Sequence, residues 1–388
     1  MNSKTFTQSI ELQALLHCLK IELFDAPLDD LIRVFEQENL DWVRFEKLVG
    51  YHKIGFLVYS AGKKIGLRHP MMERLEKNQQ QQAFRDLVGQ HQLNEIFREF
   101  SARNLPILPY KGIVFKDKLY GNQTLRERKD LDVMVLPEHA VESIQLLFSM
   151  GYRLSSQRKS DAADLRFLVE HLASSELSLV RHMQRREESI DFHWGMHEFP
   201  AFEDYTPELF QHTQIDGNVL SPNPSAIFAM ILNHHGGREF WVRLKHLVDL
   251  VLFLKRYPEI SQDVLREQAG KLRMQTVFDY GMHLLDHIFY DINSRRTVDS
   301  KVLKTVFTMW EEGNHWDQLI PKCRLFYIKW KMLDEKIHLV RMCYYEYVVQ
   351  TGYDLRIPPV IWSKKNRFLN IISKTIFWLL AKFSWYRY

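Results

Sequence analysis

The chain has 388 residues, 46% of them hydrophobic and 26% charged, and carries a net charge of +4. That length allows two or three packed regions with real cores, and the composition excludes a disordered chain. So small a charge excess does not imply a nucleic-acid-coating surface, although local basic patches are compatible with it.

Met1 to Gln8 lacks the apolar core of a signal peptide, and no run of about eighteen uncharged apolar residues occurs anywhere. Cys18, Cys323 and Cys343 lie far apart and form no CxxC pair, so they read as free thiols in a reducing compartment. A cytoplasmic location is the expectation. Apolar residues at helical spacing predict helices over residues 9–19, 31–40 and 42–58, and a long helix from Met71 to Phe100. The glutamines at 79–82 read as a solvated face of that helix. Residues 1–103 therefore form an N-terminal helical region.

At Asn104 the pattern changes. The prolines of Leu105-Pro106-Ile107-Leu108-Pro109-Tyr110 point to an extended run. A helix from Gly112 to Leu119 should stop near Gly121, and Asp130 to Leu136 reads as a strand. Pro137 opens a helix that Gly151 closes, and a short strand is expected at 152–154. Two more strands, 176–180 and 189–193, are joined by the charged turn 185–188. Residues 104–220 thus form a small α/β core with a mixed sheet.

From Pro222 the chain returns to helices, predicted over 225–233, 238–255, 260–272, 274–290, 302–310 and 325–347. Residues 221–388 form a C-terminal helical domain, and the fold class is α+β. The apolar stretch 368–385 is interrupted by Lys374 and Lys382 and reads as a buried or capping helix. Its aromatic face also suits a membrane surface or a partner.

The chemistry concentrates around two acids. In a strand Asp130 and Asp132 share one face while Leu131, Val133 and Val135 share the other. Two neighbouring carboxylates repel, and a divalent metal is the simplest thing that would favour them. Asp191 in Ser189-Ile190-Asp191-Phe192-His193-Trp194 is a candidate third acid, on one face with His193. If the two strands are neighbours, three carboxylates converge, a pattern suited to metal-assisted phosphoryl or nucleotidyl transfer. Lys111, Arg126, Arg128 and Lys129 cluster just before the acids, where a triphosphate would lie. Gly112 permits close backbone approach, and its amide opens a helix, which favours an anion.

The histidines offer a competing phosphohydrolase or metallohydrolase reading. His193 and His197 are four apart, but Trp194 stands where a zinc protease needs glutamate, and no adjacent His-Asp pair occurs among these residues. His234 and His235 point about 100° apart on a helix, so they read as packing or positioning residues. Lys245 and Asp249, four apart, suit an intrahelical pair or a contact to the nucleotide base or ribose.

Taken in order, Lys111-Gly112, Tyr120, Arg126-x-x-x-Asp130-Leu-Asp132-Val-Met-Val and Asp191-Phe-His193-Trp194 resemble an uncharacterised bacterial nucleotidyltransferase family of the DNA polymerase β superfamily. The resemblance covers roughly residues 100–255, including Asn233-His234-His235-Gly236 and Leu244-Lys245-His246-Leu247-Val248-Asp249. It implies a Mg²⁺-dependent (or Mn²⁺-dependent) enzyme moving a nucleoside monophosphate from an NTP such as ATP to an acceptor, with pyrophosphate release. The acceptor class, whether small molecule, protein or RNA, is open. Asp130, Asp132 and Asp191 would be the metal-binding and catalytic acids; Lys111, Gly112, Arg126, Arg128 and Lys129 would meet the nucleotide. The family's small pair, Gly followed by Gly or Ser, reads Gly112-Ile113 here, so no serine hydroxyl is offered, and Lys129 stands where a small residue is usual. The rival reading is a non-catalytic nucleotide-binding or partner-binding scaffold that keeps the fold.

Overall fold

A computed structural model describes residues 9–121, 125–128, 130–155, 165–166, 169–170, 175–183, 186–196, 205–216, 219–290, 298–313, 319–335 and 340. These residues fall into two compact units, each assembled from separate stretches of chain. The first comprises the described residues of Met1–Gln90, Lys111–Lys129 and Ile227–Asp334; the second comprises those of His91–Tyr110, Asp130–Ala226 and Glu335–Tyr388. The architecture is α+β, as the sequence predicts.

The first unit is helical. Helix α1 (Ile10–Phe24) starts at Ser9, whose hydroxyl accepts the Leu12 N–H. Helix α2 (Leu28–Phe35) leads to α3 (Trp42–His52), where Asp41 Oδ1 caps the amides of Val43 and Arg44. The single helix expected over 42–58 is broken: Lys53 turns left-handed (φ 52°) and α4 runs Gly55–Lys64. Tertiary contacts account for the break. The buried His52 ring accepts the Leu244 N–H at Nδ1 (3.1 Å) and lies 3.1 Å through Nε2 from the Trp310 carbonyl. Gly55 N–H donates to Glu127 Oε1 (3.0 Å). Helix α5 (Pro70–Ser101) is as long as expected, and α6 (Gly112–Tyr120) ends at Gly121, φ 59°.

Helices α7 (Ala140–Ser149) and α8 (Thr206–Gln211) belong to the second unit; after α9 (Pro224–Ile231) the chain enters a π-helix, Leu232–Arg238, rather than continuing regularly. Phe240 and Trp241 then take positive φ (48° and 58°) before α10, Leu244–Arg256. The helix predicted from 238 therefore starts six residues late. Burial of Trp241 drives this rearrangement: its Nε1 donates to the Val277 carbonyl (2.9 Å), and it packs on the bare faces of Gly236 and Gly281. Helices α11 (Gln262–Lys271), α12 (Gln275–Leu285), α13 (Ser300–Glu312) and α14 (Leu319–Met332) complete the unit. Cys18 and Cys323 are free thiols. No helix among the described residues is long and apolar enough to cross a membrane, and the stretch 368–385 lies outside them.

The second unit holds a five-stranded mixed sheet built from β1 (Leu108–Pro109), β2 (Asp132–Met134), β3 (Arg153–Leu154), β4 (Glu176–Met183) and β5 (Arg186–His193). Its order is β1-β2-β5-β4-β3, and β2 pairs with β5 in parallel. One face is apolar and buried through Val133, Leu177, Leu179, Ile190 and Phe192. On that face Arg181 lies over the Tyr152 ring and pairs with Glu188 (2.6 Å) and Glu95 (2.7 Å).

Three expectations change here. Strand β2 begins at Asp132, so Asp130 stands before the strand and is exposed rather than sharing its pleat. The charged turn 185–188 is mostly strand, because Glu188 is buried against Arg181. A hairpin, β6 (Thr213–Asp216) and β7 (Val219–Pro222), went unpredicted although Asp216-Gly217-Asn218 is a turn signal.

Candidate active site

Two acids that are 59 positions apart in sequence become direct neighbours. Asp132 is the register partner of Asp191 across the parallel β2–β5 pair, and Met134 is that of His193. The period-2 rule then places both carboxylates on the polar face. On the other side of β5, antiparallel β4 sets Ser178 opposite Asp191 and Glu176 opposite His193. Ser178 Oγ donates to Asp191 Oδ1 (2.7 Å). His193 Nε2 lies 3.3 Å from Asp132 Oδ1, and its Nδ1 lies 3.7 Å from Glu176 Oε2, so one buried imidazole bridges two acids. Tyr110 packs edge-on against that ring, and its N–H donates to the Asp132 carbonyl (3.0 Å).

The electrostatics follow from this crowding. Burial, and then the charge of Glu176, push the Asp191 carboxyl up to about 6, against the opposing Ser178 hydrogen bond; Asp132 adds to the rise. Glu176 and Ser178 were missed in the sequence. The alternation Glu176-Leu177-Ser178-Leu179 showed that they share a face, but not that the face was Asp191's.

Among the described residues, no three His, Cys, Asp or Glu side chains form a ready-made metal cage. Mg²⁺ does not require one, since it commonly uses one or two carboxylates together with substrate phosphates and water. The donor chemistry fits: Asp132 and Asp191 offer hard oxygens in register, and a divalent cation relieves the repulsion between neighbouring carboxylates.

The expected cations belong to the helical unit. Lys111 is buried at the head of α6 with strained backbone (φ 44°, ψ −108°), and α6 carries no side-chain cap at its N-terminus. Arg126 is only 5% exposed, and its guanidinium is turned inward. Its Nη2 donates to Asp249 Oδ2 (3.0 Å), its Nε reaches both carboxylate oxygens (3.2 Å each), and its Nη1 donates to the Gly112 carbonyl (3.2 Å). Arg126, an expected phosphate contact, thus makes an internal ion pair that also holds the Gly112 backbone. Arg128 pairs with Asp86 (3.3 Å), which also holds Lys116. Lys129 lies outside the described residues, as does His197.

Asp249 is the centre of a buried polar cluster. Besides Arg126 it accepts from Tyr120 Oη (2.7 Å) and meets His235 Nε2 (2.8 Å), whose Nδ1 lies 3.0 Å from His234 Nδ1. Burial pushes the Asp249 carboxyl up, but Arg126 and His235 outweigh it and hold the carboxyl well below the usual range. Burial, and then Arg126, bring the Lys245 ammonium down to about 7. Lys245 forms no ion pair among the described residues, so the expected Lys245–Asp249 pair gives way to Arg126–Asp249. The reading of His235 as a positioning residue agrees with its bond to Asp249.

A small mixed sheet with two aspartates in register, set among helical segments, is consistent with the nucleotidyltransferase fold class. The chain belongs to the uncharacterised nucleotidyltransferase family whose family model matches residues 38–290. Its activity is accordingly of the nucleotidyl-transfer kind. No curated protein and no solved structure matches the chain.

Proposed function

We propose that the protein is a Mg²⁺-dependent nucleotidyltransferase that uses an NTP and releases pyrophosphate. The observation that carries this reading is the Asp132–Asp191 register on parallel strands. Asp132 and Asp191, with Asp130 beside them, would hold the cation, which when bound supplies charge neutralisation to the triphosphate. His193 steadies Asp132, and Ser178 orients Asp191. An acceptor hydroxyl oxygen attacks the α-phosphorus, its proton passes to Asp191, and the α–β bridging oxygen leaves with pyrophosphate. Lys111 and the uncapped first amides of α6 at Gly112 are proposed phosphate contacts. Arg126 is a positioning residue for Gly112, through the carbonyl that it binds.

A second reading, a non-catalytic nucleotide-binding or partner-binding scaffold, is favoured by the internal pairing of Arg126 and Arg128. Pyrophosphate release from each NTP, with Mg²⁺ or Mn²⁺ and RNA, protein or small-molecule acceptors, separates the two. The enzyme loses release at least a hundredfold in Asp132→Asn and in Asp191→Asn while keeping its fold. Release that survives in both variants rejects the site, and Mg²⁺-independent nucleotide binding without release supports the scaffold.

A further inference from the structure

A cavity of about 400 Å³ opens in the helical unit between α3, α4, α5 and the segment Glu127–Arg128. That volume lies in the range of small-molecule sites. Its floor is apolar and buried, formed by Val49, Phe56, Met71 and Leu75. One wall is a polar stripe on α5, where Asn78, Gln81 and Arg85 recur at three- and four-residue spacing and so project from one side of the helix. These three side chains make no hydrogen bond or ion pair among the described residues. The other charged groups of the lining are already engaged: Arg74 pairs with Glu46, Glu127 takes the Gly55 N–H, and Arg128 pairs with Asp86. Arg85 is therefore left as an open cation beside two open amides, above an apolar floor.

Gly50 is the second, independent observation. It lines the cavity in the last turn of α3, where a Cβ would meet nothing within 4 Å. Its backbone is not left-handed; the residue that takes positive φ at this helix end is Lys53. Glycine within a helix is less favourable than alanine, and neither backbone nor neighbours require it here. What glycine preserves at this position is open space.

We infer that this cavity binds a small organic anion with an apolar body, its charged head on Arg85, Asn78 and Gln81 and its body against Val49, Phe56 and Leu75. The inference is independent of the transferase reading.

The test titrates the full chain with 2-naphthoate, and with uncharged 2-naphthamide, following ligand fluorescence in chelator. Saturable naphthoate binding is expected, at least tenfold weaker in Arg85→Gln and lost in Gly50→Leu. The melting temperature of Gly50→Leu should be no lower than that of the wild type, which separates blockage from unfolding. Asp132→Asn should leave the affinity unchanged, so that failure of the transferase reading does not affect this result. Absence of saturation at millimolar naphthoate overturns the proposal, as does equal affinity in Arg85→Gln and Gly50→Leu. Naphthamide binding as tightly as naphthoate overturns the anionic class.

Discussion

Asp132 and Asp191 are register partners on adjacent parallel strands, and Asp191 is the member of the pair whose carboxyl is pushed up to about 6. Proton acceptance and cation binding both need Asp191 ionised. Transfer activity should therefore fall as pH drops through about 6. Glu176→Gln removes a negative neighbour and should move this acid limb to lower pH by roughly half to one unit. The pH profile of kcat/KM reads it directly. A variant that only weakened the fold would lower the plateau and leave the limb in place.

Asp191 also links stability to pH. Its folded value lies above the ordinary 3.8, so its contribution is complete below 3.8 and is lost as pH rises through about 6. At pH about 7.5 in chelator, the ionised carboxylate should cost roughly 1–3 kcal/mol. Asp191→Asn is expected to raise the melting temperature under those conditions and to have little effect near pH 4. A lower melting temperature at both pH values would contradict this account.

Asp249 is fully buried and answers Arg126, Tyr120 and His235 at once. Asp249→Asn leaves the Arg126 guanidinium buried without its counter-charge, at a cost of about 3–5 kcal/mol. Tyr120→Phe removes one hydrogen bond to the same carboxylate and should cost about 1–2 kcal/mol. Urea unfolding of the two variants orders them. Equal losses would show that the hydroxyl, rather than the ion pair, holds the cluster.

His52 sets an acid limit on the helical unit. Burial lowers its imidazole from 6.5 to about 3, with the Trp310 carbonyl opposing. The neutral ring's contribution is present above 6.5 and is lost as pH falls from 6.5 toward about 3. His234, His235 and His246 are lowered in the same direction by burial. Unfolding free energy should begin to decline below pH about 6.5, earlier than carboxylate titration alone would give. His52→Gln should shed roughly 3–5 kcal/mol of this pH dependence while lowering stability at pH about 7.5. Stability that is flat down to pH about 4.5 would contradict it.

Helix stops were readable where their causes are local. Gly121 after α6 was expected as a stop and acts within one turn of the residues that it caps, whereas α2 runs Leu28–Phe35 instead of the expected 31–40. The break at Lys53 and the π-helix at Leu232–Arg238 were not readable, since the groups that enforce them lie far along the chain. Leu244 meets His52 from 192 positions away, and Val277 meets Trp241 from 36.

The site divides in the same way. Asp130-Leu131-Asp132 and Asp191-Phe192-His193 could be recognised as chemistry-bearing runs from the sequence, because residue type and period-2 spacing are properties of a few neighbouring residues. Which acid faces which depends on strand order, and that is set by how the sheet buries its apolar face. Only the folded chain placed Asp132 opposite Asp191, added Glu176 beside it and left Asp130 outside the strand. Arg126 shows the same limit: its charge suggested a phosphate contact, but nothing in its neighbourhood in sequence showed that Asp249, 123 positions away, pairs with it. A short stretch of sequence specifies which groups are offered, whereas burial and register decide which of them meet.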